Sequence, residues 1–192
     1  EVCHSRNVIL AVDNAHGAYL KFLEPSLHPL DLGADICCDS AHKTLPVLTG
    51  GAYLDIGKNA PEIFAEQAKH AMELFGSTSP SYLTMISLDL CNRYLSENYS
   101  KCLKDMIELR HNCCKELEVL GWKVVDSDPL KITIEIPSGI SSSKLTQRLR
   151  SQGVECEYAD LNYIVFMLTP ENTKMDLERL VSALGKNQYF YK

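Results

Sequence analysis

Two short apolar runs near the N-terminus constrain the fold of this chain most strongly. Residues 8–12 read VILAV and are followed by Asp13, and residues 34–38 read ADICC. Continuous apolar runs of this length, rich in β-branched side chains, predict strands that are buried on both faces. The 20 residues between them, 14–33, are enough for a right-handed crossover between parallel neighbours. The sequence therefore predicts an α/β fold that begins almost at the first residue.

The middle of the chain predicts one more strand and a long helical region. Residues 51–56, GAYLDI, form the third strand, and their short connection to the second strand allows antiparallel pairing. Residues 60–76 have helical spacing, with Pro61 near the start and Gly76 at the end. The helical pattern of residues 82–120 exceeds the usual length of a globular helix. We expect it to be bent, broken or shared between two domains.

The last third of the chain predicts a separate small layer. Strand patterns cover 131–137, 154–160 and 162–169, and helical patterns cover 141–153 and the final segment from residue 169. This β-α-β-β-α order, with one apolar face per element, describes a small α+β domain. We therefore predict two domains, residues 1–124 with the long helix and residues 125–192.

Composition excludes several classes of function. A hydrophobic fraction of 45% and a charged fraction of 23% are typical of globular proteins. The net charge of −6 leaves no basic footprint for nucleic acid, and no apolar run is long enough to span a membrane. The eight cysteines include the vicinal pairs Cys37–Cys38 and Cys113–Cys114. We expect them to be reduced and mostly buried thiols of a cytoplasmic protein, rather than disulfides or metal ligands.

Polar residues follow both N-terminal strands, where ligands of open parallel sheets bind. Asp13 ends the first strand, and Ser40, His42 and Lys43 follow the second in the stretch DSAHK. Singly, Asp13 could cap a helix and Lys43 could be solvated on a loop. Together they predict a site in which a desolvated lysine attacks an aldehyde and a carboxylate pairs with a pyridinium nitrogen.

These segments carry a resemblance to a known family. VDNAHGAYL (12–20) and GADICCDSAHKTLPVLTGGAYL (33–54) resemble the cofactor site of the ornithine/lysine/arginine decarboxylases, which use pyridoxal 5'-phosphate in the aspartate-aminotransferase fold, fold type I. STSPSYLTMISLDLC (77–91) also resembles a segment of that family. The resemblance implies the C-terminal portion of a fold type I large domain, followed by a small α+β domain. Because that large domain begins before Glu1, we expect the chain to be a fragment that alone binds pyridoxal phosphate weakly or not at all.

The resemblance also implies roles for individual residues. Lys43 is the lysine that binds the cofactor's aldehyde covalently, and Asp13 pairs with the pyridine nitrogen. Ala15 lies against the ring. Ser40 and His42 hold the phosphate, and His42 also lies near the reacting carbon.

Three further positions keep two interpretations. His16 either supports hydrogen bonding around Asp13 and the ring hydroxyl, or is a structural turn histidine. Thr78 and Ser79 either reach the phosphate of a neighbouring subunit, or cap the helix that begins near Tyr82.

The implied reaction is decarboxylation of lysine, arginine or ornithine to the corresponding amine by a cytoplasmic homodimer or higher homo-oligomer. The sequence does not select among the three substrates. One alternative is another fold type I enzyme, an aminotransferase or a carbon–carbon lyase or synthase. Aminotransferases grip the substrate carboxylate with an arginine of the small domain, where this chain has Arg148 and Arg150. A second alternative is a non-catalytic fragment that serves in assembly.

Overall fold

The computed structural model describes residues 1–76 and 78–187 and divides the chain into two compact units, Glu1–Ser100 and Lys101–Lys192. The predicted domain boundary at residue 124 remains a prediction. Within the described residues, no helix is both long and apolar enough to cross a bilayer.

The first unit contains a three-stranded sheet of β1 (Ala11–Asp13), β2 (Ile36–Asp39) and β3 (Tyr53–Ile56), in that order. Strands β1 and β2 are parallel, and β3 is antiparallel to β2. The parallel pairing and the third strand are as predicted. The long helical region is broken at Asn98 into two helices, α3 (Tyr82–Glu97) and α4 (Tyr99–Val119). The elements of this unit are β1 Ala11–Asp13, β2 Ile36–Asp39, α1 Ala41–Thr44, β3 Tyr53–Ile56, α2 Glu62–Phe75, α3 Tyr82–Glu97 and α4 Tyr99–Val119, which continues into the second unit.

The first strand differs from its prediction in length and burial. β1 begins at Ala11 rather than Val8, and Val8 and Ile9 are exposed. The Leu10 N–H donates to the Asp35 carboxylate, 2.8 Å away, instead of to a neighbouring strand. The carbonyl of Leu10 still accepts from the backbone N–H of Asp35 at 2.9 Å, so only its N–H is taken by the side chain. The prediction of burial on both faces is wrong for this strand, because Ala11 and Asp13 are exposed and Val12 is only half-buried.

The second unit has the predicted small α+β layer. Its antiparallel sheet has four strands in the order β4 (Val124–Val125), β5 (Lys131–Glu135), β7 (Tyr163–Met167) and β6 (Tyr158–Ala159). The predicted turn at Asp160 closes the β6–β7 hairpin. Oδ1 of Asp160 accepts hydrogen bonds from the backbone N–H groups of Asn162 and Tyr163. Strand β5 alternates as predicted, with Ile132 and Ile134 buried. The elements are β4 Val124–Val125, β5 Lys131–Glu135, α5 Ser142–Ser151, β6 Tyr158–Ala159, β7 Tyr163–Met167 and α6 Lys174–Asn187.

The cysteines are distributed over both units. All eight are free thiols, and four of them are buried: Cys37, Cys91, Cys113 and Cys114. The expectation that most would be buried therefore holds for half of them.

Candidate active site

The parallel pairing of β1 and β2 brings the polar strand ends to one edge of the sheet. Asp13 lies opposite Cys38, and the N–H of Asn14 donates to the Cys38 carbonyl at 2.9 Å. Ser40 follows β2 directly and opens α1, which carries His42 and Lys43. Asp13 and the Ser40–Lys43 segment therefore lie at the same edge of the sheet, the one formed by the carboxyl ends of β1 and β2, as the sequence predicted.

Lys43 presents its amine to the outside of this edge. Its backbone N–H donates to the Ser40 carbonyl at 3.0 Å, which fixes the start of its side chain. The side chain is exposed, so the expectation of a desolvated lysine is wrong for this chain. Among the residues that the structure describes, none forms a hydrogen bond or ion pair with Nζ. A lysine amine in this position is free to bind a ligand.

The imidazole of His42 is fixed by the carbonyl of Gly51. Nδ1 lies 2.9 Å from the Gly51 oxygen, and the backbone N–H of His42 donates to the same oxygen at 3.2 Å. Because a carbonyl only accepts, Nδ1 carries the hydrogen, and Nε2 is left as the acceptor of the neutral ring. A Cβ at Gly51 would lie 2.3 Å from Cγ1 of Val47, so the glycine is needed to bring this carbonyl close.

A buried polar group lies directly before Ser40 and was not anticipated from the sequence. Asp39 is 3% exposed and His28 is 4% exposed. Oδ1 of Asp39 accepts from Nδ2 of Asn14 at 2.6 Å, and Oδ2 lies 2.8 Å from Nε2 of His28. A carboxylate that ends a buried apolar run was the one available signal, since nothing in the sequence connects Asp39 to His28.

Asp55 and Cys37 extend this buried group on β3 and β2. Burial raises the pKa of Asp55, and its hydrogen bond with Asp39 and the charge of Asp39 raise it further. Burial, with a contribution from Asp39, raises the pKa of Cys37 to about 12.

Potential metal-ligand atoms of His28, Cys37 and Asp39 lie within 4.8 Å of one another. However, His28 and Asp39 bond directly to each other, and the Cys37 thiol keeps its proton. The donor set therefore fits a hydrogen-bond network better than a metal site.

The remaining predicted residues lie in two loops. Ala15 and His16 are part-buried in the loop that follows β1, where the Gly17 N–H donates to the Asn14 carbonyl at 2.8 Å. Thr78 and Ser79 are exposed in the loop between α2 and α3. The interpretation that they cap α3 is wrong, because Ser81 is the cap and its Oγ accepts from the Thr84 N–H at 3.4 Å. Their contact with a cofactor phosphate, and the cofactor roles of the other residues, stay predictions.

Comparison with known proteins identifies relatives over nearly the whole chain. A family model described as Orn/Lys/Arg decarboxylase, major domain, matches residues 1–133. An arginine decarboxylase of Bacillus subtilis is 30% identical over 199 residues, which cover 96% of this chain and 40% of that protein. An arginine decarboxylase of Halalkalibacterium halodurans is 29% identical, with the same 40% covered. The chain thus spans about two fifths of the length of these relatives.

Solved structures give the same fold. A constitutive lysine decarboxylase of E. coli matches with a TM-score of 0.80 at 18% identity, covering 98% of this chain and 34% of the other. A lysine decarboxylase of Francisella novicida matches with a TM-score of 0.77 at 21% identity, covering 96% and 33%. The predicted fold class, part of a fold type I large domain with a small α+β domain, is confirmed. The chain belongs to the Orn/Lys/Arg decarboxylase family and carries part of its major domain.

Proposed function

We propose that this chain supplies part of the pyridoxal-phosphate site of an enzyme that decarboxylates a basic amino acid. The observation that carries the proposal is the parallel β1–β2 pair, which brings Asp13 and the Ser40–Lys43 segment to one edge of the sheet. The names of the relatives support arginine or lysine as the substrate, with ornithine as the third member of the class. Because the relatives are longer than this chain, we propose the complete reaction for a protein that also contains the remaining parts of these relatives.

The donor set fits the cofactor by its chemistry. Lys43 offers a primary amine for an aldehyde, and Asp13 offers a carboxylate for a protonated pyridine nitrogen. Ser40 and His42 offer a hydroxyl and an imidazole for a phosphate. Ala15 leaves room for a ring beside the β1 loop, and His16 supports the hydrogen bonds around Asp13. When bound, pyridoxal phosphate accepts the electron pair that carbon dioxide leaves behind.

The residues of this chain then have separate tasks. Asp13 would hold a proton at the pyridine nitrogen, and Nζ of Lys43 would hold the aldehyde of the cofactor. The product takes up a proton at its α-carbon, for which the ammonium of Lys43 would be the donor; Nε2 of His42, the acceptor of the neutral ring, could donate only after taking up a proton itself. Nδ1 of His42 has no part in this transfer, because it donates to Gly51.

Arg150, one of the two arginines considered for transamination, has a carboxylate partner within the small domain. Nε and Nη2 of Arg150 donate to the two carboxylate oxygens of Glu155 at 2.7 and 2.6 Å, and both side chains are exposed. Because exposed ion pairs contribute little to stability, this pairing alone does not separate transamination from decarboxylation.

We further propose a homodimer, in which Thr78 and Ser79 reach the phosphate of the neighbouring subunit. Large apolar side chains of α2 and α3 support an interface, because they are exposed in this chain: Ile63, Met72, Phe75, Tyr82, Leu83 and Ile86. Light scattering after size exclusion is expected to give twice the mass of the chain, and a monomer at high concentration would contradict this part of the proposal.

Product analysis tests the reaction itself. The protein is supplied with pyridoxal phosphate and with arginine, lysine or ornithine, and carbon dioxide, amine and keto acid are measured. We expect carbon dioxide and amine in equal amounts, lost in Lys43→Ala and retained in Lys58→Ala. A keto acid in place of carbon dioxide would contradict decarboxylation. For the chain alone we expect weak cofactor binding, so a tight stoichiometric adduct would overturn the expectation that it carries only part of the pocket.

A further inference from the structure

The buried carboxylate of Asp39 connects two segments that are distant in sequence. Asn14 follows Asp13 directly, and Asp39 precedes Ser40 directly. The 2.6 Å bond between Nδ2 of Asn14 and Oδ1 of Asp39 therefore joins the segment that carries Asp13 to the one that carries Lys43. It joins the last residue of β2 to the first residue after β1.

The same carboxylate is held from a third segment. Nε2 of His28 lies 2.8 Å from Oδ2, and the side chains of His28 and Asp39 are 5% and 4% exposed. Oδ1 and Oδ2 are thus engaged by different residues, so the carboxylate cannot rotate without losing a bond. In a buried site such charge-assisted bonds are strong and directional.

Asn14 is confined on its other side by Gly17. A Cβ at Gly17 would lie 1.9 Å from Oδ1 of Asn14 and 2.5 Å from its Cγ. The amide of Asn14 therefore fills the space that a larger residue at position 17 would take, and this directs its Nδ2 to Asp39.

Resting on the proposed function, we propose that Asn14, His28 and Asp39 form a clamp whose task is to position Asp13 and Lys43 relative to each other. We call these three residues the strand-end clamp. Asn14 and Asp39 are positioning residues, which act on the cofactor only through their neighbours. Because reaction rates depend steeply on the placement of reacting groups, loosening the clamp slows the reaction of Lys43 more than that of other lysines.

The first test is reductive trapping of pyridoxal phosphate on a protein that carries this chain within the full length of its relatives. After borohydride reduction, mass spectrometry gives the label on Lys43 relative to Lys58, an exposed lysine that follows β3 at the opposite edge of the sheet. The Lys43-to-Lys58 ratio is measured for the parent, Asp39→Asn and the milder Asn14→Ala. We expect it to fall about tenfold in both variants. The charge control, Asp89→Asn on the exposed face of α3, should leave it unchanged.

The second test reads the clamp without the cofactor. Amide hydrogen exchange is followed at position 14 and at His42, whose N–H groups donate to Cys38 and Gly51, and each rate is divided by the intrinsic rate of the residue present. We expect exchange at both sites to accelerate about tenfold in Asn14→Ala, as for loss of one hydrogen bond to a charged group, while the second unit keeps its parent rates.

The outcomes separate the two proposals. If Lys43 is selected over Lys58 in the parent and the ratio stays within about twofold in both variants, Asp39 only stabilises the fold and the positioning role is wrong. If Lys43 is no more reactive than Lys58 in the parent, the proposed function fails, and exchange alone decides the clamp. Unchanged exchange at Asn14 and His42 in Asn14→Ala would then overturn it.

Discussion

Gly17→Ala tests the packing behind the candidate site through a single contact. The backbone at Gly17 has φ −114° and ψ 9°, where alanine is also allowed, so the substitution introduces no backbone strain. By itself the change would stabilise by about 0.4–1 kcal/mol, because alanine restricts the unfolded chain. The new Cβ, however, would lie 1.9, 2.5 and 2.6 Å from the three atoms of the Asn14 amide. The amide must therefore leave its place.

The displaced amide loses its 2.6 Å bond to the buried Asp39. A hydrogen bond to a charged group contributes about 1.5–3 kcal/mol to stability. Set against the gain from alanine, we expect a net destabilisation of about 1–2 kcal/mol.

Urea unfolding followed by far-ultraviolet circular dichroism measures this effect in two backgrounds. In the parent, Gly17→Ala should lower the free energy of unfolding by the amount above. In Asn14→Ala, which lacks all three clashing atoms, the same substitution should be neutral or slightly stabilising. An equal loss in both backgrounds would refute the reasoning, since the cost would then come from something other than the Asn14 amide.

Three further predictions follow from burial and charge. The pKa of Asp55 is raised above 3.8, chiefly by burial, so its contribution to stability is lost as pH rises from 3.8 through the folded-state pKa. The urea midpoint of the parent should therefore decrease over this pH range, and that of Asp55→Asn should not show this decrease. The pKa of Asp35 is lowered by the Leu10 N–H and by His4, so its contribution is lost as pH falls, and midpoints of Asp35→Asn and the parent should converge in acid. Leu149→Ala, at a side chain with 0% exposure, should cost about 2–5 kcal/mol, whereas Gln147→Ala on the exposed face of the same helix should change stability by less than about 0.5 kcal/mol, both measured by unfolding.

The sequence predicted the parts of the site that depend on local pattern. Apolar runs that end in polar residues located β1 and β2, and the crossover length between them predicted their parallel pairing. Together these placed Asp13 and Lys43 at one edge of the sheet. The first strand was predicted too long, because the side chain of Asp35, 25 residues away, takes the Leu10 N–H that the pattern assigned to a ladder.

The sequence could not predict the clamp behind the site, because its contacts join residues without a common period. Asp39 meets His28 across 11 residues and Asn14 across 25. Such pairs depend on how the crossover between β1 and β2 folds back, which no local rule specifies. The break of the long helix at Asn98 could not be predicted either, because the helical pattern continues through this residue. The sequence therefore left a bent helix, a broken helix and a helix shared between two domains as alternatives.

Reductive trapping with site mapping distinguishes a cofactor-binding lysine at position 43 from an ordinary surface lysine. A protein that carries this chain within the full length of its relatives is incubated with pyridoxal phosphate, reduced with borohydride and digested, and the label on each lysine is quantified with Lys43→Arg as the control. We expect Lys43 to carry most of the label. In Lys43→Arg we expect the total label to fall, with no increase at the other lysines. Label spread evenly over Lys43, Lys58 and the other exposed lysines would contradict it.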